Sequence, residues 1–170
     1  MIMDVKKIYF DLDQVLADFN RGVTELCGLE YREEKNSTSA SDDVMWARIR
    51  DVDHFYDKLK LMVGAKKLFD AVYNKYKNRC EILTGIPKPK RGIPTAGEDK
   101  KKWVHRLLSK DIVVNIVFKE QKPEYCTGKD CILIDDNEKN IEAWEAMGGT
   151  GILYKSAEKT IAALKEMGVL

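Results

Sequence analysis

Polar residues gather just after short apolar runs, and their types suit one chemistry. Asp11 and Asp13 follow Lys7-Ile8-Tyr9-Phe10, and Thr84 and Gly85 follow Cys80-Glu81-Ile82-Leu83. Lys119 and Lys122 follow the run from Val113 to Phe118, and Asp135 and Asp136 follow Cys131-Ile132-Leu133-Ile134. If the first and fourth runs are neighbouring strands, four acids converge on one edge, where like charges held close resist joint ionisation. A hard divalent cation resolves that conflict. Oxygen donors without a compact cysteine or histidine cage point to Mg²⁺, which keeps waters and takes phosphate oxygens as partners. With a lysine and a hydroxyl nearby, the set describes a phosphate-handling site. The cation and the lysine offset phosphoryl charge, and the hydroxyl donates a hydrogen bond.

The elements that must position these groups are legible in the apolar pattern. The four runs, with Gly151-Ile152-Leu153-Tyr154 as a fifth, are short apolar blocks of the kind buried in a parallel sheet. Helical spacing recurs between them: Leu68, Ala71, Val72 and Tyr76 within 65–76; Trp103, Val104, Leu107 and Leu108 within 98–109; Ile141, Trp144 and Met147 within 137–147; Ile161, Leu164 and Met167 within 157–167. Alternating strand and helix implies a doubly wound α/β domain with right-handed crossovers. Ligands in such sheets bind beyond the carboxyl ends of the strands. One interval breaks the rhythm, since nearly 70 residues separate the first two runs, where a crossover needs about a dozen or more. It holds helical stretches at 15–26 and 43–58, joined by the polar Glu33-Glu34-Lys35-Asn36-Ser37-Thr38-Ser39. Ser41, followed by Asp42 and Asp43, reads as a helix start. Residues 15 to about 63 are expected to form a small helical insertion above the sheet.

Composition limits the alternatives. The chain has 170 residues, 44% hydrophobic and 34% charged, and a net charge of +1, which suits one soluble domain and gives no broad attraction to nucleic acid. No apolar run approaches the roughly 20 residues of a spanning helix, and the first residues lack the pattern of a signal peptide. Cys27, Cys80, Cys126 and Cys131 show no Cys-x-x-Cys spacing, so buried free thiols and a reducing, cytoplasmic setting are expected. Gly148-Gly149-Thr150-Gly151 precedes a strand and reads as a helix stop rather than a phosphate loop.

Asp-x-Asp by itself is a weak signal. Phe10-Asp11-Leu12-Asp13, Leu83-Thr84-Gly85, a downstream lysine and Leu133-Ile134-Asp135-Asp136, in that order at strand ends, resemble the four motifs of haloacid dehalogenase (HAD)-type phosphatases. The likeness spans about residues 7 to 166 and is nearest to the 5′(3′)-deoxyribonucleotidases and their bacterial or phage relatives. Val15-Leu16-Ala17-Asp18-Phe19, the stretch His54-Phe55-Tyr56-Asp57-Lys58-Leu59 with Gly64-Ala65, and Lys102-Trp103-Val104 carry the narrower resemblance. Two positions depart from that branch: Gln14 stands where glycine is common, and Gly85 where serine is often found.

The resemblance implies a HAD-like, Rossmann-type three-layer α/β/α core with a five-stranded parallel sheet, over 1–14 and 64–170, and a small helical cap over 15–63. It implies a Mg²⁺-dependent phosphomonoesterase for a small phosphorylated substrate, a nucleoside monophosphate in the nearest branch. Asp11 would attack phosphorus and Asp13 would carry the proton. Asp11, the backbone carbonyl of Asp13 and the Asp135-Asp136 pair would hold the metal. Thr84 and the Gly85 amide would bind phosphoryl oxygens, and Lys122, with Lys119 as runner-up, would stabilise their charge. The alternatives are a HAD phosphatase for another small ester, or a catalytically silent phosphate-binding regulatory protein.

On the substrate side, Phe19 is a candidate wall for a nucleobase or a packing residue between cap and core. Phe55 and Tyr56 are candidates for the same cavity, as is Trp46, with cap core as the simpler expectation for each. His54 reads as a solvated or satisfied histidine. The segment from Ile86 to Pro94 reads as a basic loop near the phosphate site. Lys100-Lys101-Lys102 reads as an exposed helical face.

Overall fold

In the computed structural model, residues 2–30 and 36–170 are described; Glu33 to Lys35 of the expected linker lie outside them. Five parallel strands form one sheet: β1 (Lys7–Phe10), β2 (Cys80–Gly85), β3 (Val114–Val117), β4 (Cys131–Asp135) and β5 (Thr150–Leu153). Their order is β3-β2-β1-β4-β5. Ile8, Tyr9, Phe10 and all of β4 are buried, as a central strand covered on both faces requires.

Side chains alternate across this sheet. Ile8, Phe10, Ile82, Ile132 and Ile134 join one core with Leu68, Phe69, Trp103 and Leu164, from helices α3 (Ala65–Tyr76), α4 (Ala96–Leu107) and α6 (Ala157–Glu166). Tyr9, Leu83 and Leu133 join a second core with Ile141 and Trp144 of α5 (Glu138–Ala146). The result is three layers. The chain runs outward from β1 through β2 to β3, then crosses back to β4 on the other side of β1. Phe10 pairs with Ile134 and with Ile82, so Asp11 and Asp135 emerge side by side where the strand order reverses.

Between β1 and α3 lie α1 (Phe19–Cys27), α2 (Ser39–Asp51) and a 3₁₀ turn, Phe55–Lys58. The boundaries differ from expectation for identifiable reasons. Residues 12–17 form a tight turn closed by bonds from Val15, Leu16 and Ala17 to Leu12 O, so α1 begins only after its Asp18 cap. Thr38 and Ser41 exchange capping bonds, which starts α2 ahead of the Ser41 start that the acids suggested. The second stretch splits because α2 ends at Asp51 and His54 takes φ 52°. The two ends of this segment are joined: Asp18 N–H donates to Lys60 O and Met62 N–H to Leu16 O, each at 2.8 Å.

The returning chain docks on one face of α4. Asp99 meets His54 Nδ1 at 2.8 Å, Trp103 Nε1 donates to Leu59 O at 2.7 Å, and Arg106 pairs with Asp57. Positions i, i+4 and i+7 share a helical face, so one stripe of α4 holds residues 54–59. All four cysteines are buried and free. Among the described residues, no helix is long and apolar enough to cross a membrane.

Candidate active site

Asp11 is the first residue beyond β1, and its backbone N–H donates to Ile134 O at 2.9 Å, which fixes it against β4. Lys122 lies in a 3₁₀ segment, Lys119–Tyr125, after β3. It is only 3% exposed, and its Nζ donates to Asp11 Oδ1 at 2.9 Å and to Asp135 Oδ2 at 2.8 Å. Burial pushes the ammonium down, but the two carboxylates outweigh it and hold it well above the ordinary lysine value. Lys119 is exposed and reaches neither acid. The short loop places Lys122 inward and leaves Lys119 on the cleft rim.

Asp11, Asp135 and Asp136 each offer a carboxylate oxygen, and these lie within 4.8 Å of one another. Burial first, then the charge of Asp11, raises Asp135, with Lys122 opposing. Burial, then the charges of Asp11 and Asp135, pushes Asp136 up to about 9. Three acids this close cannot all ionise unaided, and all their donors are hard oxygens. The cluster therefore fits a hard divalent cation such as Mg²⁺. The pair divides its contacts. Asp135 is also held by Asn137 N–H at 2.9 Å and by Asn140 Nδ2 at 3.0 Å, whereas Asp136 is exposed and lines the cleft beside Asp11. Asn137, one of the polar residues at the end of the fourth run, caps α5; Asn140, in the first turn of α5, did not figure among the sequence candidates.

Asp13 is held by a residue that the sequence reading set aside. Lys100, expected on an exposed face, is 1% exposed. Its Nζ donates to Asp13 Oδ2 at 2.8 Å, Thr84 Oγ1 at 2.9 Å and Gly85 O at 2.7 Å, and lies 4.6 Å from the centre of the Tyr56 ring. The correction follows from helical phase. Lys100 precedes Trp103 and Val104 by three and four residues, so it shares their buried face, and that spacing was a usable signal. With Oδ2 occupied, Asp13 Oδ1 is buried without a partner among the described residues.

A cleft of about 570 Å³ opens above these groups. Asp11, Asp13, Gly85, Lys122 and the Asp135-Asp136 pair line it, as do Phe19, Trp46 and Tyr56. Two expected substrate residues do not. Phe55 is 1% exposed and packs edge-on to Phe19 and Tyr56, so it supports the wall from behind. Thr84 is fully buried beneath Lys100, and its hydroxyl accepts from that ammonium instead of lining the cleft. Tyr56 touches the cleft but is otherwise buried, and burial, then Asp13, raises its phenol well above the usual value. His54 is satisfied by Asp99. Of the basic loop, Lys88 pairs with Glu120 at 3.3 Å and Arg91 with Asp43 of α2 at 2.5 Å, which ties the loop after β2 to the helical segment. The left-handed backbone at Gln14, φ 62°, explains the glycine common at that position in the nearest branch.

No protein-family model matches the chain. A protein of Vibrio phage KVP40, provisionally named a 5′(3′)-deoxyribonucleotidase, is 30% identical over 141 residues, covering 83% of this chain and 71% of the phage protein. A HAD-family hydrolase of Deinococcus radiodurans has a TM-score of 0.61 at 14% identity, covering 99% of this chain and 98% of its own. One from Ehrlichia chaffeensis has a TM-score of 0.57 at 13% identity, covering 98% and 99%. The L-2-haloacid dehalogenase of Xanthobacter autotrophicus has a TM-score of 0.52 at 13% identity, covering 98% and 84%. These likenesses are of fold alone, and the fold by itself does not choose the bond that is broken. Together with the phage relative they establish that the chain belongs to the haloacid dehalogenase superfamily of hydrolases, among members with 5′(3′)-deoxyribonucleotidase relatives.

Proposed function

We propose that the protein is a Mg²⁺-dependent phosphomonoesterase that passes the phosphoryl group through Asp11, and that its substrates are nucleoside monophosphates of the 5′(3′)-deoxyribonucleotidase kind. One observation carries the reading: two acids at the end of one strand are held by two separate buried lysines. Asp11 has Oδ1 on Lys122 and Asp13 has Oδ2 on Lys100. The name of the phage relative supports the nucleotide half.

Asp11 Oδ2 attacks phosphorus in line, forming the aspartyl-phosphate as the ester P–O bond breaks. Asp13 Oδ1 gives its proton to the departing alcohol oxygen. The same oxygen, now a carboxylate, takes a proton from water as that water attacks phosphorus, and the P–O bond to Asp11 breaks to release phosphate. Lys100 keeps Asp13 oriented through both steps, and Thr84 positions Lys100. Lys122 fixes Asp11 and adds positive charge beside the phosphoryl oxygens. Asp11, Asp136 and the Asp13 backbone carbonyl would hold Mg²⁺, with Asp135 behind them; when bound, the cation offsets the charge of carboxylates and phosphoryl oxygens together. Residues 15–63 act as the cap that covers the alcohol half of the substrate. Four unpaired buried thiols support a reducing, cytoplasmic setting.

A panel of phosphomonoesters assayed with Mg²⁺ and with chelator tests the reading. Turnover of nucleoside monophosphates that disappears in chelator and in Asp11→Asn is the expected result. Turnover of sugar phosphates with none of any nucleotide removes the nucleotide half. Wild-type rates from a folded Asp11→Asn variant would falsify the nucleophile.

A further inference from the structure

Asn20 sits in the first turn of α1, beside Phe19, and lines the cleft. Its Oδ1 is buried and has no hydrogen-bond partner among the described residues. Leaving a buried amide oxygen without a donor is costly, so something else is expected to supply one. Three other buried polar atoms share this condition: Asp13 Oδ1, Asp99 Oδ2 and Thr160 Oγ1. Proton transfer accounts for the first, and neither Asp99 nor Thr160 lines the cleft.

Asn20 is also tied to the catalytic loop. Its backbone N–H donates to Gln14 Oε1 at 2.9 Å, and Gln14 directly follows Asp13, with its backbone in the left-handed region. Gln14 lines the cleft too. With its oxygen already accepting from Asn20 N–H, the Gln14 amide also brings two NH₂ donors to this wall. The wall next to Asp13 thus carries one acceptor without a donor, on Asn20, and an NH₂ donor group beside it, on Gln14. A hydroxyl both donates and accepts, so it satisfies the two together. Rotation about χ2 of asparagine, a broad torsion, turns the amide toward a bound group without moving the backbone. The flat side chains on the same cleft, Phe19 and Trp46, 6.2 Å apart between ring centres, offer apolar area. The apolar part of a leaving group suits the rings and its hydroxyl suits the amides.

We propose that Asn20, with Gln14 beside it, is a specificity-determining residue that reads a sugar hydroxyl on the alcohol half of the substrate. The proposal rests on the nucleotidase reading and deepens it: the protein sorts phosphomonoesters by whether the sugar ring keeps a free hydroxyl.

The test compares kcat/KM for a 2′-deoxynucleoside 5′-monophosphate and for the 2′,3′-dideoxy analogue of the same base. Wild-type protein is expected to favour the deoxynucleotide by about 10- to 100-fold, the range that one unpaired buried group implies. In Asn20→Leu, close in volume but unable to accept a hydrogen bond, the ratio is expected to fall below about 3-fold, within the range of a lost bond. Asn20→Asp keeps the acceptor and is expected to keep the preference even if its rate drops. Thermal melting shows whether each variant is folded, and because the readout is a ratio within one protein, a general loss of activity does not imitate it. Equal turnover of both nucleotides by wild type, or a preference that survives in Asn20→Leu, each overturns this proposal alone. A wild type that hydrolyses an aryl phosphate but neither nucleotide overturns the nucleotidase reading and this proposal with it.

Discussion

Lys100 Nζ lies 2.8 Å from Asp13 Oδ2, and the same ammonium donates to Thr84 Oγ1 and Gly85 O. One buried cation therefore joins the ends of the first and second strands and leaves Asp13 a single working oxygen. Lys100→Met keeps the length and loses the charge. It is expected to lower kcat by about 10²-fold, the scale of one well-placed acid–base group, with a smaller change in KM. Steady-state kinetics with a far-ultraviolet circular dichroism check of folding decides it.

The Asp135-Asp136 pair is expected to divide between structure and metal. Asp135 is buried and held by Lys122, Asn137 N–H and Asn140. Asp135→Ala strands the buried Lys122 with one fewer partner, and a loss of about 3 kcal/mol or more is expected, as for other broken buried pairs. Asp136→Asn is expected to leave the melting midpoint in chelator unchanged or raised, because it removes one of three clustered acids. It should weaken the Mg²⁺ requirement curve by at least about 10-fold. Denaturation and Mg²⁺ titration of activity, run on both variants, separate the roles.

Without a cation, stability should decline as pH rises. An acid with a raised native pKa keeps its proton over a range in which the unfolded chain has lost it, so ionising that acid destabilises the fold. For Asp136 the window runs from 3.8 to about 9. Mg²⁺ replaces those protons with fixed positive charge, so its stabilising effect should grow across the same window and its binding should release protons. Melting in chelator and in Mg²⁺ at about pH 6 and about pH 8.5 reads the first effect. Calorimetry in buffers of different ionisation enthalpy reads the second.

Gln14 separates backbone strain from a side-chain contact. Gln14→Ala keeps the left-handed backbone and loses the bond to Asn20 N–H. Gln14→Gly loses the same bond and relieves the strain. The glycine variant is therefore expected to be about 1 kcal/mol more stable than the alanine variant, the size of the left-handed penalty. Chemical denaturation of the two variants measures the difference directly.

Trp103 carries the docking of residues 54–59 on α4. Trp103→Phe removes the donor from Leu59 O and should cost about 1–3 kcal/mol. Hydrogen exchange is expected to accelerate in residues 54–59 well before it does in β1 and β4.

Much of the candidate site was legible because ligand-facing groups in a parallel sheet follow the strands that carry them. Asp11, Asp13, Asp135 and Asp136 each end or follow an apolar run, and neither the run nor the turn after it depends on distant contacts. The alternation of such runs with helical spacing also determined the α/β core. What the chain order does not contain is which groups meet. Lys100 reaches Asp13 across 87 positions, and Lys122 reaches Asp11 across 111. The tertiary structure brought Lys122 rather than Lys119 onto Asp11, buried Thr84 beneath Lys100, turned Phe55 into the main core and gave Asp135 and Asp136 different surroundings. Each of those outcomes is a matter of side-chain direction at the reversal of strand order, and direction is set by how α4, α5 and the loop after β3 pack on the sheet.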